Sequence, residues 1–212
     1  NVGEFSNIEL SGYLAGALSL VSRSLINNAQ FDIVGFVVDQ MAYNISRFIE
    51  KELLQGTEDK VAGLSTLTNV KNTASASAIT SNELIELQAK VKDVYQNNAI
   101  WVMSTATRTA IRELKDNYGR YLLQDDISLP FGHSLLGKPV YVSDNMPEIG
   151  AGNTAIYYGD MSGLATKFSE DINIQVLRER FADSHAVGVI SWFEFDSKVE
   201  NAQKLAKLVC GN

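Results

Sequence analysis

The chain has 212 residues, 45% of them apolar and 20% charged, with a formal net charge of −7. That length suits one large or two small domains, and the acidic balance argues against a surface that grips nucleic acid through a basic stripe. A single cysteine, Cys210, excludes an internal disulfide and fits a reducing compartment, and no run of about 18 apolar residues or signal-peptide pattern is present.

The first residue is Asn1 rather than Met, so a processed or trimmed product is expected. Residues 4–10 alternate polar and apolar, as a half-buried strand does. Residues 18–25 read as a strand end or a short helix, and the pattern does not decide. Residues 32–55 carry the strongest single signal. Asp32 is placed as an N-cap. Val34, Val37, Val38, Met41, Ile45, Phe48, Ile49 and Leu53 then recur at helical spacing, with Asp39, Asn44, Arg47, Glu50 and Lys51 on the other side. Gly56 stands where a helix stops. At ~1.5 Å per residue the helix is roughly 35 Å long, enough to act as a strut across a domain.

Residues 57–80 are rich in Ser, Thr, Ala, Asn and Gly and are expected to form a long, partly exposed connection. Thr80 and Glu83 fit a capping box, followed by Leu84, Leu87, Val91 and Val94 at helical spacing. Residues 99–103 read as a buried strand. Ser104 caps a helix through Ala106, Ala110, Ile111 and Leu114 that ends before Gly119. Residues 120–137 form a loop with one short strand at most. Residues 138–142 form a strand beside Pro139, expected at an edge. A turn over 144–153 and a strand over 155–158 follow. After Gly159 and Asp160 come a strand from Phe168, a charged turn at Arg178, Glu179 and Arg180, and a long apolar strand over 187–195 that ends near Asp196. The tail, 203–209, alternates in period two and is expected to pair with that strand.

No motif in the chain supports catalysis. Gly150, Gly152 and Ala155 match a relaxed dinucleotide pattern, but Pro147 precedes it and a strand follows, where pyrophosphate binding needs a helix N-terminus. Ser162 lies in a Gly-x-x-Ser-Gly spacing, not a nucleophile elbow. Asp183, Ser184 and His185 are adjacent on an extended chain and point apart, whereas a triad converges from separate segments. His133 and His185 with one cysteine make no zinc set without several carboxylates. Asn44 to Ser46 matches a glycosylation acceptor of little meaning without a secretory route. Trp101, Trp192, Phe193 and Phe195 read as core or interface anchors. No cofactor and no metal is expected.

The order of motifs resembles the tailed-bacteriophage (or prophage) major capsid proteins of the Hong Kong 97-type fold. Residues 31–56 are similar to that family's spine helix and its glycine exit, with Gly63 and Leu64 beyond it. Trp101 to Leu114 resembles the axial-domain strand and helix. Leu135, Gly137, Pro139 and Val140 match a Leu-x-Gly-x-Pro-Val segment. Asp144, Met146 and Pro147 and then the Gly159–Asp160 turn follow in order.

The resemblance implies an α+β fold with a long spine helix, an axial α/β subdomain and a peripheral β-rich subdomain. Residues 1–30 would end an extended loop and begin the peripheral domain, 31–56 form the spine helix, 57–158 the axial domain, and 159–212 strands returning beside the helix. It implies a non-enzymatic virion subunit, assembled in the host bacterial cytoplasm into pentamers and hexamers of an icosahedral shell. That shell would enclose double-stranded DNA without sequence-specific binding and without a membrane. The partners implied are further copies of the chain, a scaffolding segment, a maturation protease and a portal. Loop 120–132 would meet its equivalents at ring centres, which makes Arg120, Asp125 and Asp126, with the adjoining His133, candidate intersubunit contacts. Arg178, Glu179 and Arg180 are candidates for intersubunit salt bridges. The family's N-terminal arm and most of its extended loop have no counterpart in these residues, so no autocatalytic cross-link is expected of them, and alone they should be monomeric or weakly associated. An encapsulin-like compartment shell is the nearer alternative; a small α/β enzyme or ligand-binding domain is the more distant one.

Overall fold

The computed structural model describes residues 8–115, 118–121, 123–125 and 133–211. In chain order they form β1 (Tyr13–Ser22), α1 (Arg23–Asn28), α2 (Ile33–Leu54), β2 (Val70–Asn72), α3 (Ser81–Ala89), β3 (Ile100–Met103), α4 (Thr105–Arg112), β4 (Leu123–Asp125), β5 (His133–Leu135), β6 (Lys138–Val142), β7 (Thr154–Gly159), β8 (Leu164–Leu177), β9 (Ala186–Val199) and β10 (Leu205–Val209). They divide into two compact units, one of residues 1–63 with 166–198 and one of 64–165 with 199–212.

In the first unit a three-stranded sheet, ordered β1-β9-β8, carries α2 on one face. The helix begins as its sequence dictates: the Asp32 carboxylate accepts the Gly35 N–H at 3.0 Å, which satisfies one of the free donors of the first turn. It ends at a glycine because Gly56 has φ +68°, and its N–H donates to the Glu52 carbonyl at 2.9 Å. The chain then turns back at Gly63, also left-handed at φ +54°, where a Cβ would lie 2.4 Å from the Glu52 carbonyl oxygen. Met41 and Ile45 are buried against Val189, Phe193 and Phe195 of β9 and against Val61. Phe48, on the same apolar stripe, is 43% exposed and stands edge-to-face with the Phe193 ring.

The other face of this sheet is set by two glycines. Gly16 is opposite Trp192 in register, and a Cβ on it would fall 2.5 Å from the indole; Gly188 is covered in the same way by Phe181. Each aromatic ring therefore lies flat over a neighbour without a side chain. The approach to β1 is fastened by Ser11, whose N–H donates to Asp196 at 2.9 Å, and by Lys198, whose ammonium donates to the Glu9 carbonyl at 2.6 Å.

The second unit holds a seven-stranded sheet, ordered β2-β10-β7-β3-β6-β5-β4. β3 and β6 are parallel, as the crossover through α4 requires. Trp101 and Tyr158 are cross-strand partners in β3 and β7, fully buried with ring centroids 4.2 Å apart. The indole N–H donates to the Leu135 carbonyl at 2.9 Å, so the largest buried side chain leaves no unpaired polar atom. α3 starts at the complete capping box. Thr80 Oγ1 accepts the Glu83 N–H, and Glu83 returns to the Thr80 N–H at 2.7 Å. α4 starts at Ser104, whose hydroxyl accepts the Thr107 N–H at 3.1 Å.

Several expectations need correction. Residues 57–80 are not simply exposed: they contain a 3-10 turn (Gly63–Thr66) and β2, and they bury Val61, Leu64, Leu67 and Ile79. α3 stops at Ala89, which leaves Val94 81% exposed. Loop 120–137 contains two paired short strands, β4 and β5. β6 is interior: pairing with β3 starts at Val140, one residue past the proline, and Pro139 itself lies opposite Ser134 on β5. The tail does not join the long strand, because both sides of β9 are already taken by β1 and β8; β10 pairs with β7 and β2 instead. β9 runs on to Val199. Of the strand expected over residues 4–10, residues 4–7 lie outside the described residues and 8–10 are not in a strand; the first described strand is Tyr13–Ser22. The division into units falls near residues 63, 165 and 198, so that 57–63 lie with the first unit and 159–165 and 199–212 with the second.

Candidate assembly surfaces

Residues 183–185 form an exposed turn, not a catalytic constellation. The Ser184 N–H and hydroxyl both donate to the Asp183 carboxylate, at 2.9 and 3.2 Å, and His185 has φ +51° in that turn. The Ser162 hydroxyl accepts from the Lys204 ammonium at 3.0 Å. Burial pushes the Asp160 carboxyl up, but hydrogen bonds from Ser162 and Asn98 and the nearby Lys204 charge outweigh it and hold the group below the ordinary carboxylate value. Asp160 thus works as a cap for the 3-10 turn that follows it, with the Ser162 N–H at 2.9 Å. Gly150 to Asn153 is a turn stitched to the C-terminus, the Gly152 N–H donating to the Cys210 carbonyl at 3.1 Å; a strand follows, with no helix to hold a phosphate. Burial lifts the Tyr157 hydroxyl to about 12, with Thr154 opposing it, so it stays a neutral donor. Among the described residues no group of three acidic, histidine or cysteine side chains is arranged to hold a metal.

The sequence-predicted contact residues fall in two places and in different units. Arg120 is exposed, its guanidinium 5.6 Å from the Tyr118 ring centroid. Lys115 approaches the Tyr121 ring to 4.8 Å, across a bridge that joins these two residues. Asp125 and His133 are register partners in the β4–β5 pair, and Asp126 lies outside the described residues. Arg178, Glu179 and Arg180 form the exposed turn between β8 and β9. The Arg178 carbonyl accepts from the Arg23 guanidinium at 2.8 Å, and Arg180 stands 5.8 Å from the Phe181 ring. The turn is therefore tied down through its backbone while its charged tips face outward.

One surface was missed by sequence reasoning. On the face of the first sheet away from α2, Leu14, Leu18 and Leu20 are all more than half exposed, and Trp192 is 45% exposed. Along the free side of β1 an apolar groove of about 410 Å³ lies between the strand and α2, floored by Ala15, Ala17, Met41 and Ile45. A smaller hollow of about 140 Å³ continues it on the other side of Phe48. The available signal was the absence of any charged residue between Glu9 and Arg23.

Comparison with known proteins identifies the family. The family model described as the phage capsid family matches residues 2–210. The capsid of an empty GTA particle, computed with C5 symmetry, superposes with a TM-score of 0.83 at 22% identity, covering 100% of this chain and 79% of that one. A structure titled Mycobacterium phage Bobi superposes at 0.71 with 14% identity, covering 96% of this chain and 73% of the other. The holo-SrpI encapsulin complex of Synechococcus elongatus PCC 7942 also superposes at 0.71, with 15% identity and coverages of 94% and 73%; with a family match to phage capsids, the compartment reading is not favoured. No curated protein sequence matches the chain. The architecture is that of Hong Kong 97-type capsid proteins, and the chain, matched over nearly its whole length, belongs to the phage capsid family.

Proposed function

We propose that this structural capsid subunit tiles a closed icosahedral shell around double-stranded DNA, in rings of five and six copies. The family match over residues 2–210 carries the reading. A superposable relative described with C5 symmetry supports ring formation. The work is mechanical. Rings close through heterologous contacts between unlike faces, and contacts that are individually modest sum over a shell. The unit of residues 64–165 and 199–212 serves as the axial domain, with loop 120–132 at the ring centre. The unit containing α2 serves as the peripheral domain, where Arg178, Glu179 and Arg180 form salt bridges to a neighbouring copy. The chain has no catalytic role. It assembles in the bacterial host cytoplasm with a scaffolding segment, a maturation protease and a portal, and encloses DNA without reading its sequence. Electron microscopy of the full-length gene product is the test. Closed shells are expected; dispersed or filamentous protein would overturn the reading.

A further inference from the structure

The second unit concentrates positive charge in one place. Residues 108–121 hold Arg108, Arg112, Lys115 and Arg120 against Glu113 and Asp116, in a chain whose formal net charge is −7. Local structure gathers the four cations. α4 buries Thr107 and Ile111, which leaves Arg112 exposed and Arg108 half-buried one turn before it. Lys115 and Arg120 flank the turn beyond the helix, closed by the bridge between Lys115 and Tyr121. Each of these two cations lies against a ring, Lys115 at 4.8 Å from the Tyr121 centroid and Arg120 at 5.6 Å from that of Tyr118. A cation seated on a ring is held in place before any ligand arrives, so less side-chain freedom is lost on binding. Tyr118 is 86% exposed and Tyr121 56%. Among the described residues no carboxylate pairs with Arg108 or Lys115. Arg112 suits the C-terminal end of a helix dipole, but that reason does not reach Arg120 or the two open rings.

We propose that this patch binds the phosphate backbone of duplex DNA without reading its sequence. A docking site for another protein has an apolar centre. Among the described residues from Thr105 to Tyr121, the only large apolar side chains left exposed are the two tyrosines, and a tyrosine hydroxyl can itself donate to a phosphate. Surfaces that meet nucleic acid are instead polar and positive. Two guanidiniums ~6 Å apart along the helix axis, with two more cations at the turn, suit a ligand whose charges recur in a row. A duplex carries about one per 1.7 Å of its axis. The acidic remainder of the chain keeps the contact weak and sensitive to salt, so DNA can enter and leave it. Arg120 is shared with the ring-centre reading of loop 120–132; Arg108 and Arg112 are not, and they carry the test. What the contact does inside a shell rests on the capsid reading, but the binding itself does not.

The experiment titrates the 212-residue chain into a short fluorescein-labelled DNA duplex of arbitrary sequence and reads anisotropy. Binding in the ~10⁻⁴–10⁻⁶ M range of non-specific contacts is expected, with log affinity falling against log salt at a slope of about −3 for three or four phosphates. Arg108→Glu combined with Arg112→Glu should weaken it roughly ten-fold or more at an unchanged melting temperature. Arg108→Gln with Arg112→Gln replaces that variant if it misfolds, and should act in the same direction. Reversing Lys90 and Lys92, two exposed cations outside the patch in the same unit, changes the net charge equally and should leave the affinity nearly as it was. No binding at low salt, or an equal loss in the Lys90 and Lys92 variant, overturns the proposal. So does a single strand bound far more tightly than the duplex, which would assign the rings to bases and not the cations to the backbone. Loss of self-association on sedimentation, in place of DNA binding, would give the patch to a neighbouring copy and overturn it too. Closed shells from a chain that binds no DNA would sink this inference alone; DNA binding without shells would sink the capsid reading and leave the patch standing.

Discussion

The two units solve the burial problem differently. The sheet of the second unit has α3 and α4 packed into a core whose largest members, Trp101, Tyr158, Met103 and Leu87, have almost no exposure. The first unit has one long helix over three strands, and it leaves Phe48, Leu14, Leu18, Leu20 and Trp192 in solvent. An apolar patch of that kind marks an interaction surface in soluble proteins. The second unit closes its core by its own packing, whereas the first leaves part of its apolar surface open.

The sharpest way to break that contrast is to empty the second core. Trp101→Ala should cost ~3–5 kcal/mol and also leaves the Leu135 carbonyl without its donor; urea denaturation should show a large fall in midpoint, and an unchanged midpoint would refute the packing described. In the first unit, Ile45→Ala should cost about 2–4 kcal/mol, since Ile45 is 4% exposed. Phe48→Ala, three residues away on the same helix, should cost only about 1–2 kcal/mol, because much of its ring is already wet. Equal losses at the two positions would mean that the groove beside Phe48 is closed in solution.

A smaller effect is tied to pH. Burial pushes the Glu83 carboxyl up, but hydrogen bonds from Ala74 and Thr80 and the Lys71 charge outweigh it and leave the group below the ordinary glutamate value. A depressed folded value means the stabilisation is complete above the unfolded glutamate pKa of about 4.3 and fades as pH falls through the folded one. Glu83→Gln should therefore destabilise the chain near neutral pH by about 1 kcal/mol and flatten the acid side of the stability curve; an unchanged acid limb would count against the cap. The smallest expected effect on folding is at Arg178 and Arg180. Reversing both to Glu should move stability by less than ~0.5 kcal/mol while impairing shell assembly of the full-length protein. Normal assembly would leave the turn as solvated surface.

What was legible in the sequence was local. Asp32, the four-residue spacing of Met41, Ile45 and Ile49, and Gly56 define α2 within one residue at each end, because each signal acts within a turn or two. The capping box at Thr80 is the same kind of signal. The partner of β10 was not legible, since alternation fixes a strand and its faces but not which neighbour has a vacant edge. Pro139 suggested an edge because proline lacks a donor, yet β3 engages the strand only from Val140 onward. The apolar stripe of α2 did not reveal that Phe48 sits past the rim of its sheet. Of the candidate contacts, the charged turn at 178–180 was found by its composition, whereas the β1 surface was hidden because leucines in a strand read as core until the topology leaves that strand without cover.

The chain passes between the two units three times, near residues 63, 165 and 198. A growing polypeptide therefore cannot complete either unit from a contiguous stretch. β10, later in the chain than every other described strand, belongs between β2 and β7, so the larger sheet stays split until that segment has been made. Unlike chains whose N-terminal domain folds first during translation, neither unit here can be completed before the later of its two segments has been made. Its uncharged β1 is thus made more than 150 residues before β9, the strand it pairs with.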